Sequence, residues 1–103
     1  FESVEWQDLS QPLRLSNGMI LNFEALLEQG ISKPDREQSV TVRPRIGGEK
    51  CRPNYRDKST DLKTIYQELG VPPWERKRLP LVYFDDKLVA VPGVFIVSNK
   101  KGM

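Results

Sequence analysis

The chain has 103 residues, of which 38% are hydrophobic and 29% charged, with a net charge of +2. That length fits one domain with one modest core, and no apolar run approaches the ~18 residues of a membrane helix. The absence of histidine removes the commonest general base at neutral pH. With one cysteine in the chain, a structural zinc site and an internal disulfide are also excluded.

Val4 and Trp6 alternate with polar residues and predict a short strand. Leu13-Arg14-Leu15 and Met19-Ile20-Leu21 flank Ser16-Asn17-Gly18, a strong hairpin signal because Asn and Gly both tolerate positive φ. Phe23 to Gly30 is open to helix or strand end, and Gly30 to Gln38 reads as a loop around Lys33-Pro34-Asp35. Ser39 to Ile46 reads as a strand. Its period of two places Val40, Val42, Pro44 and Ile46 on one face and Arg43 and Arg45 on the other. Pro44 cannot donate a ladder hydrogen bond and argues for an edge or a bulge, and Gly47-Gly48 ends the run.

Glu49 to Lys58 is polar, basic and without period. Leu62, Ile65, Tyr66 and Leu69 form one helical stripe and predict a helix from about Ser59 to Leu69. Ser59 or Thr60 is its expected N-cap, Gly70 its C′ residue, and Pro72 its stop. Leu81–Phe84, Leu88–Val91 and Val94–Val97 then predict a β-meander with turns at Asp85-Asp86-Lys87 and Pro92-Gly93. The expected fold is α+β, mostly antiparallel sheets with one main helix.

Charge is unevenly spread. Residues 1–42 hold three cations and seven anions, residues 43–78 ten cations and five anions. A basic middle of this kind points to an anionic partner. Arg43, Arg45, Lys50, Arg52, Arg56, Lys58 and Lys63 gather on one strand, one loop and one helix start, with Arg76, Lys77 and Arg78 beyond. Arginine forks match phosphate geometry, and phosphate contacts dominate sequence-independent affinity for nucleic acid. The helix start beside Arg56 and Lys58 offers backbone N–H groups to a phosphate, although Asp61 would repel one.

Nothing comparable marks a catalytic centre. Gly47-Gly48 reads as a tight turn, Asp85 and Asp86 as turn chemistry, and Cys51, though beside Lys50 and Arg52, as a bystander thiol without a partner base. Trp74, after Pro72-Pro73, reads as a packing anchor beneath the turn, with stacking on a base as the alternative. Tyr55, between Asn54 and Arg56, is the better exposed-aromatic candidate, and Tyr66 belongs to the core.

The stretch Val42-Arg43-Pro44-Arg45, Gly48-Glu49-Lys50, Leu62-Lys63, Gln67-Glu68-Leu69-Gly70-Val71-Pro72-Pro73-Trp74-Glu75-Arg76, Pro80-Leu81 and Leu88-Val89-Ala90-Val91-Pro92-Gly93-Val94 resembles the C-terminal, substrate-binding domain of bacterial tRNA(Ile)-lysidine synthetases. The resemblance covers about half of the chain. Residues 42–97 match the family core, and residues 1–41 look like its more variable opening.

The resemblance implies a fold similar to a β-rich module of phenylalanyl-tRNA synthetase. It implies a parent enzyme that uses ATP, with Mg, to join lysine to the wobble cytidine of a CAU-anticodon tRNA(Ile). The catalytic Ser-Gly-Gly-x-Asp-Ser loop of that family does not occur here, so the reaction belongs to an N-terminal domain outside this chain. A start at Phe1 rather than Met agrees with a fragment of a longer protein. No catalytic or metal-binding residue and no cofactor is expected in the fragment itself. The implied partners are tRNA(Ile), at its acceptor stem, and the chain's own catalytic domain, with no membrane. The resemblance raises Arg43, Arg45, Lys63 and Arg76 among the basic residues. Asn54-Tyr55-Arg56 departs from the glycine-containing turn common in the family. The lone cysteine fits a reducing cytoplasmic home. The alternative is a structural module whose basic face packs on the catalytic domain or on a second protomer in a homodimer.

Overall fold

The computed structural model describes residues 2–97. Its fold is α+β with antiparallel sheets, as the sequence predicts. β1 (Val4–Glu5) leads to the hairpin of β2 (Leu13–Arg14) and β3 (Ile20–Leu21), paired Leu13 to Leu21 and Arg14 to Ile20. The hairpin turn is closed by Gly18 N donating to Leu15 O at 3.0 Å and by Asn17 Oδ1 accepting from Met19 N at 3.0 Å. Gly18 alone takes the left-handed conformation, at φ +92°, so Asn17 contributes its side chain rather than a positive φ.

The open segment resolves as a helix, α1 (Phe23–Gln29), capped by Asn22 Oδ1 accepting from Glu24 N. β4 (Val40–Arg43) is shorter than the predicted Ser39–Ile46 strand. It lies inside the main sheet, between β1 and β7 (Leu81–Phe84), so Pro44 marks neither an edge strand nor a bulge: it ends the strand, since it has no N–H for the ladder. Ile46, expected on the buried face, is 88% exposed on the loop that follows.

The stretch expected to be irregular contains β5 (Lys50–Cys51), which pairs with β6 (Thr60–Asp61) in a two-residue ribbon. That ribbon absorbs the predicted first turn of the helix. α2 (Leu62–Glu68) therefore starts at an Asp61 N-cap rather than at Ser59 or Thr60. Leu62, Ile65 and Tyr66 are buried as the stripe predicts, but Leu69 is 42% exposed because the helix has already ended.

Gly70, at φ +74°, closes α2 as the C′ residue. Its N–H donates to Gln67 O, and Val71 N–H donates to Tyr66 O, a Schellman motif. Only glycine takes this backbone without steric cost. Pro72 is extended, and Pro73 opens a one-turn helix, α3 (Pro73–Arg76), not predicted from the sequence.

The predicted meander is present as β7, β8 (Lys87–Val91) and β9 (Phe95–Ile96), in a sheet of order β1-β4-β7-β8-β9. A bulge at Val89, between the pairs Tyr83–Leu88 and Val82–Ala90, shifts the register of β8. It lets Leu88 and Val91 face one core while Ala90 faces the other. On one face of the sheet, Trp6, Leu15, Leu21, Phe23, Leu26, Val40, Val42, Val82 and Phe84 form a core under α1 and the hairpin. On the other, Cys51, Leu62, Ile65, Tyr66, Leu81, Leu88, Val91 and Phe95 form a second core under α2 and the β5–β6 ribbon. Among the described residues, no helix is long and apolar enough to cross a membrane.

Candidate nucleic-acid interface

Arg43 leaves β4 on the α2 side, where Thr41 and Tyr83 share its face. Its Nε donates to Thr41 Oγ1 at 3.1 Å and its Nη2 to the Asp85 carbonyl at 3.0 Å. The guanidinium stands 4.1 Å from the Tyr83 ring centroid, and the Asp86 carboxylate is 3.4 Å away. A third of the side chain remains exposed. Asp85 also locks the strand start: its N–H donates to Ser39 O and its carboxylate accepts from Ser39 N. The Asp85-Asp86 pair is turn chemistry, as expected, with a further role in holding Arg43.

Arg45 lies 3.9 Å from Glu49 Oε1, a long pairing that leaves its buried Nε without a hydrogen bond. Glu49 is occupied elsewhere. Its two oxygens accept from Ile46 N at 2.7 Å and Gly47 N at 3.0 Å. The loop is thus closed around a carboxylate that already takes the Ile46 and Gly47 amides. Arg45, Glu49 and Arg76 all act electrostatically on the buried Tyr66 hydroxyl, and Arg43 and Glu49 on that of Tyr83. Arg43 stands over Tyr83 and Arg76 bonds Val71, and both Tyr83 and Val71 pack on the second core, so these two arginines flank that core. Arg76 is anchored there by Nε donating to Val71 O at 2.8 Å.

Arg56 belongs elsewhere. It pairs with Glu68 near the end of α2, where Tyr55 Oη also donates to Glu68 at 3.4 Å. The Arg56 hydrogen bond holds the Glu68 carboxyl below the usual carboxylate range. Arg52, on the loop after β5, is half-buried.

Within the basic middle, the exposed cations are Lys50, Lys58, Lys63, Lys77 and Arg78; Arg14, Lys33, Arg36 and Lys87 are exposed outside it. The first three surround the β5–β6 ribbon and the first turn of α2, with Lys50 paired to Asp61 across the ribbon. The start of α2 is not an open phosphate seat. Leu62 N–H donates to Glu49 O at 2.9 Å, and Asp61 stands at the cap. Lys77 and Arg78 follow α3, and the Arg78 carbonyl accepts from Asn17 Nδ2 at 3.2 Å, tying this segment to the hairpin. Among the described residues, no carboxylate pairs with Lys77 or Arg78.

Trp74 corrects the expectation of a packing anchor. Its ring is 73% exposed, and it belongs to neither core. The anchoring of the turn falls instead to Val71 and Leu79, packed on the second core, and to the fully buried Pro80. A signal for this is in the sequence: the positions three and four residues on from Trp74 are Lys77 and Arg78, so the helical face it shares is charged.

Cys51 is buried, and burial pushes its thiol up to about 11 despite the cations on either side. The thiol should therefore resist alkylation at pH 8 in the folded chain and react only on unfolding, which a timed iodoacetamide reaction followed by mass spectrometry would read. The sign for stability follows from the raised value. The folded state holds the proton more tightly than the unfolded state, so stability falls as pH rises from about 9 towards 11.

A sequence model of the family described as the TilS substrate C-terminal domain matches residues 40–102. A tRNA(Ile)-lysidine synthase of Serratia proteamaculans is 44% identical over 97 residues, covering 91% of this chain and 21% of that protein. That of Shewanella woodyi is 39% identical over 94 residues, covering 87% of the chain and 19% of the protein. A Coxiella burnetii tRNA(Ile)-lysidine synthase is 45% identical over 70 residues, 68% of the chain and 16% of the protein. The chain thus spans about a fifth of the length of the curated relatives it matches.

Proposed function

The chain belongs to the family of TilS substrate C-terminal domains, and from that premise we propose that it is the tRNA-gripping domain of a tRNA(Ile)-lysidine synthase. The observation that carries the reading is the set of exposed cations of the basic middle, Lys50, Lys58, Lys63, Lys77 and Arg78, on a member of a family named for its substrate. In this reading, residues 42–97 are the gripping core and residues 1–41 brace it. Arg43, Arg45, Arg52, Arg56 and Arg76, which are partly withdrawn into the fold, shape the potential of the face. The exposed cations meet phosphates first. An A-form acceptor stem hides its major groove, so side chains meet phosphates and 2′-hydroxyls rather than base edges. The fold's similarity to a module of phenylalanyl-tRNA synthetase is part of the same proposal.

The parent enzyme would ligate lysine to the wobble cytidine at the expense of ATP, in the cytoplasm. The glycine pair that comes nearest to a phosphate loop is filled by the Glu49 carboxylate. No step of the ligation is therefore assigned to this chain, and ATP with Mg belongs to the remaining four-fifths of such a synthase.

The test is binding of the chain to tRNA(Ile) and to an acceptor-stem minihelix at low salt, followed by fluorescence anisotropy. Saturable binding to both is expected, with no ATP consumption by the chain. Absence of binding at low salt contradicts the reading. A second reading, a module packed on the catalytic domain or on a second protomer, is favoured by Ile46, presented at 88% exposure on the loop braced by Glu49. Reversal of charge at Arg43 would confuse the two readings, because its contacts to Thr41, Tyr83 and Asp85 hold β4 to β7 and to the turn that follows it. Lys77 and Arg78 are the sites to change.

A further inference from the structure

Trp74 is the most exposed aromatic ring among the described residues, at 73%, and it stands on a segment fixed at both ends. The Schellman motif at Gly70 and the Arg76 bond to Val71 O fix one side, and buried Pro80 fixes the other. The ring is therefore presented on a rigid turn rather than on a mobile loop. Lys77 and Arg78 lie three and four residues on. The chain keeps helical conformation at Lys77, which puts Lys77 on the face of Trp74, and Arg78 follows it on the turn closed by its N–H donating to Glu75 O.

From this juxtaposition of an open indole face and two cations that have no carboxylate partner among the described residues, we infer that Trp74, Lys77 and Arg78 form a stacking platform for an unpaired RNA nucleotide. The base lies on the indole, and the adjoining phosphates meet Lys77 and Arg78. The inference rests on the RNA-gripping reading and adds to it the kind of nucleotide taken. Bases within an A-form stem are stacked on one another and cannot also stack on a side chain, so the nucleotide must come from a single-stranded end or loop. Charge complementarity separates this occupant from an apolar protein surface. A hydrophobic partner would bury Lys77 and Arg78 without compensation, whereas a nucleotide supplies a π-face and an anion together.

The test uses the 103-residue chain and three RNAs: a blunt duplex, the same duplex with a four-nucleotide single-stranded 3′ extension, and a single-stranded octamer. The extended duplex and the octamer should quench tryptophan emission, and the blunt duplex should not. Trp6, 4% exposed, supplies a constant background. Trp74→Ala should weaken binding of the extended duplex roughly five- to a hundredfold with an unchanged Tm. Trp74→Phe should recover most of the affinity, while its RNA-induced quenching disappears.

Equal quenching by the blunt duplex, or native affinity in Trp74→Ala, overturns the platform while leaving the gripping function standing. Failure of all three RNAs to bind overturns both. A concentration-dependent dimer in sedimentation that Trp74→Ala abolishes would give the ring to a second copy of the chain, and that too overturns the platform.

Discussion

Replacing Trp6 with alanine should cost the chain about 3–5 kcal/mol of folding stability, whereas the same change at Trp74 should stay within about 0.5 kcal/mol. The two tryptophans occupy opposite environments. Trp6 is 4% exposed, meets Phe23 edge-on at a centroid distance of 5.6 Å, and donates from Nε1 to the Gln11 carbonyl at 3.0 Å. Its backbone N–H donates to Val40 O, which joins the opening strand to the centre of the sheet. Removing the indole leaves a cavity beside Phe23 in the first core, so transfer and cavity losses act in the same direction. For a domain of this size the loss corresponds to a fall in Tm of roughly 15–30 °C. Urea unfolding of the two variants beside the native chain reads the contrast. Equal costs, or a larger cost at Trp74, would place the anchor of the fold on the wrong side of the molecule.

The parts of this fold that are legible in the sequence are those carried by local pattern. The Asn17-Gly18 turn, the stripe of Leu62, Ile65 and Tyr66, the Gly70 stop and the β7–β8–β9 meander each follow from spacing or backbone preference within about ten residues. What escapes is set by contacts between distant segments. β5 and β6 have two residues each, too few to show a period, and they exist because the ribbon covers the second core beside α2. That ribbon moves the helix start to Leu62. α3 is one turn long and opens on consecutive prolines, which read locally as a break. Arg43 looks like an outward arginine by alternation, yet it is enclosed by Tyr83, Asp85 and Asp86, some forty residues on, because β4 and β7 are neighbours.

The same logic explains the candidate interface. Composition identifies a basic middle, but only the tertiary arrangement sorts it. Arg43, Arg45, Arg56 and Arg76 have internal partners, and Lys50, Lys58, Lys63, Lys77 and Arg78 stand in solvent. Arginines hold internal contacts well because the planar fork makes several directed bonds at once. The lysines, with strongly hydrated point charges, remain outside.

Exposed cations that grip an RNA backbone release counterions on binding, so affinity must depend steeply on salt. With five phosphates engaged, log K against log salt should have a slope of about −4. Changing Lys77 and Arg78 together to glutamate should make that slope shallower by about 2 and weaken binding at about 50 mM salt on the order of a hundredfold. Neither side chain has a carboxylate partner among the described residues, so the fold should be unaffected and the Tm unchanged. The deciding measurement is therefore the affinity of the native chain and of the Lys77→Glu/Arg78→Glu double variant for tRNA(Ile) across a salt series. A slope of about −4 that becomes shallower by about 2 in the double variant is the predicted result. A flat salt response, or identical slopes for two equally stable chains, would contradict the assignment of this surface to tRNA.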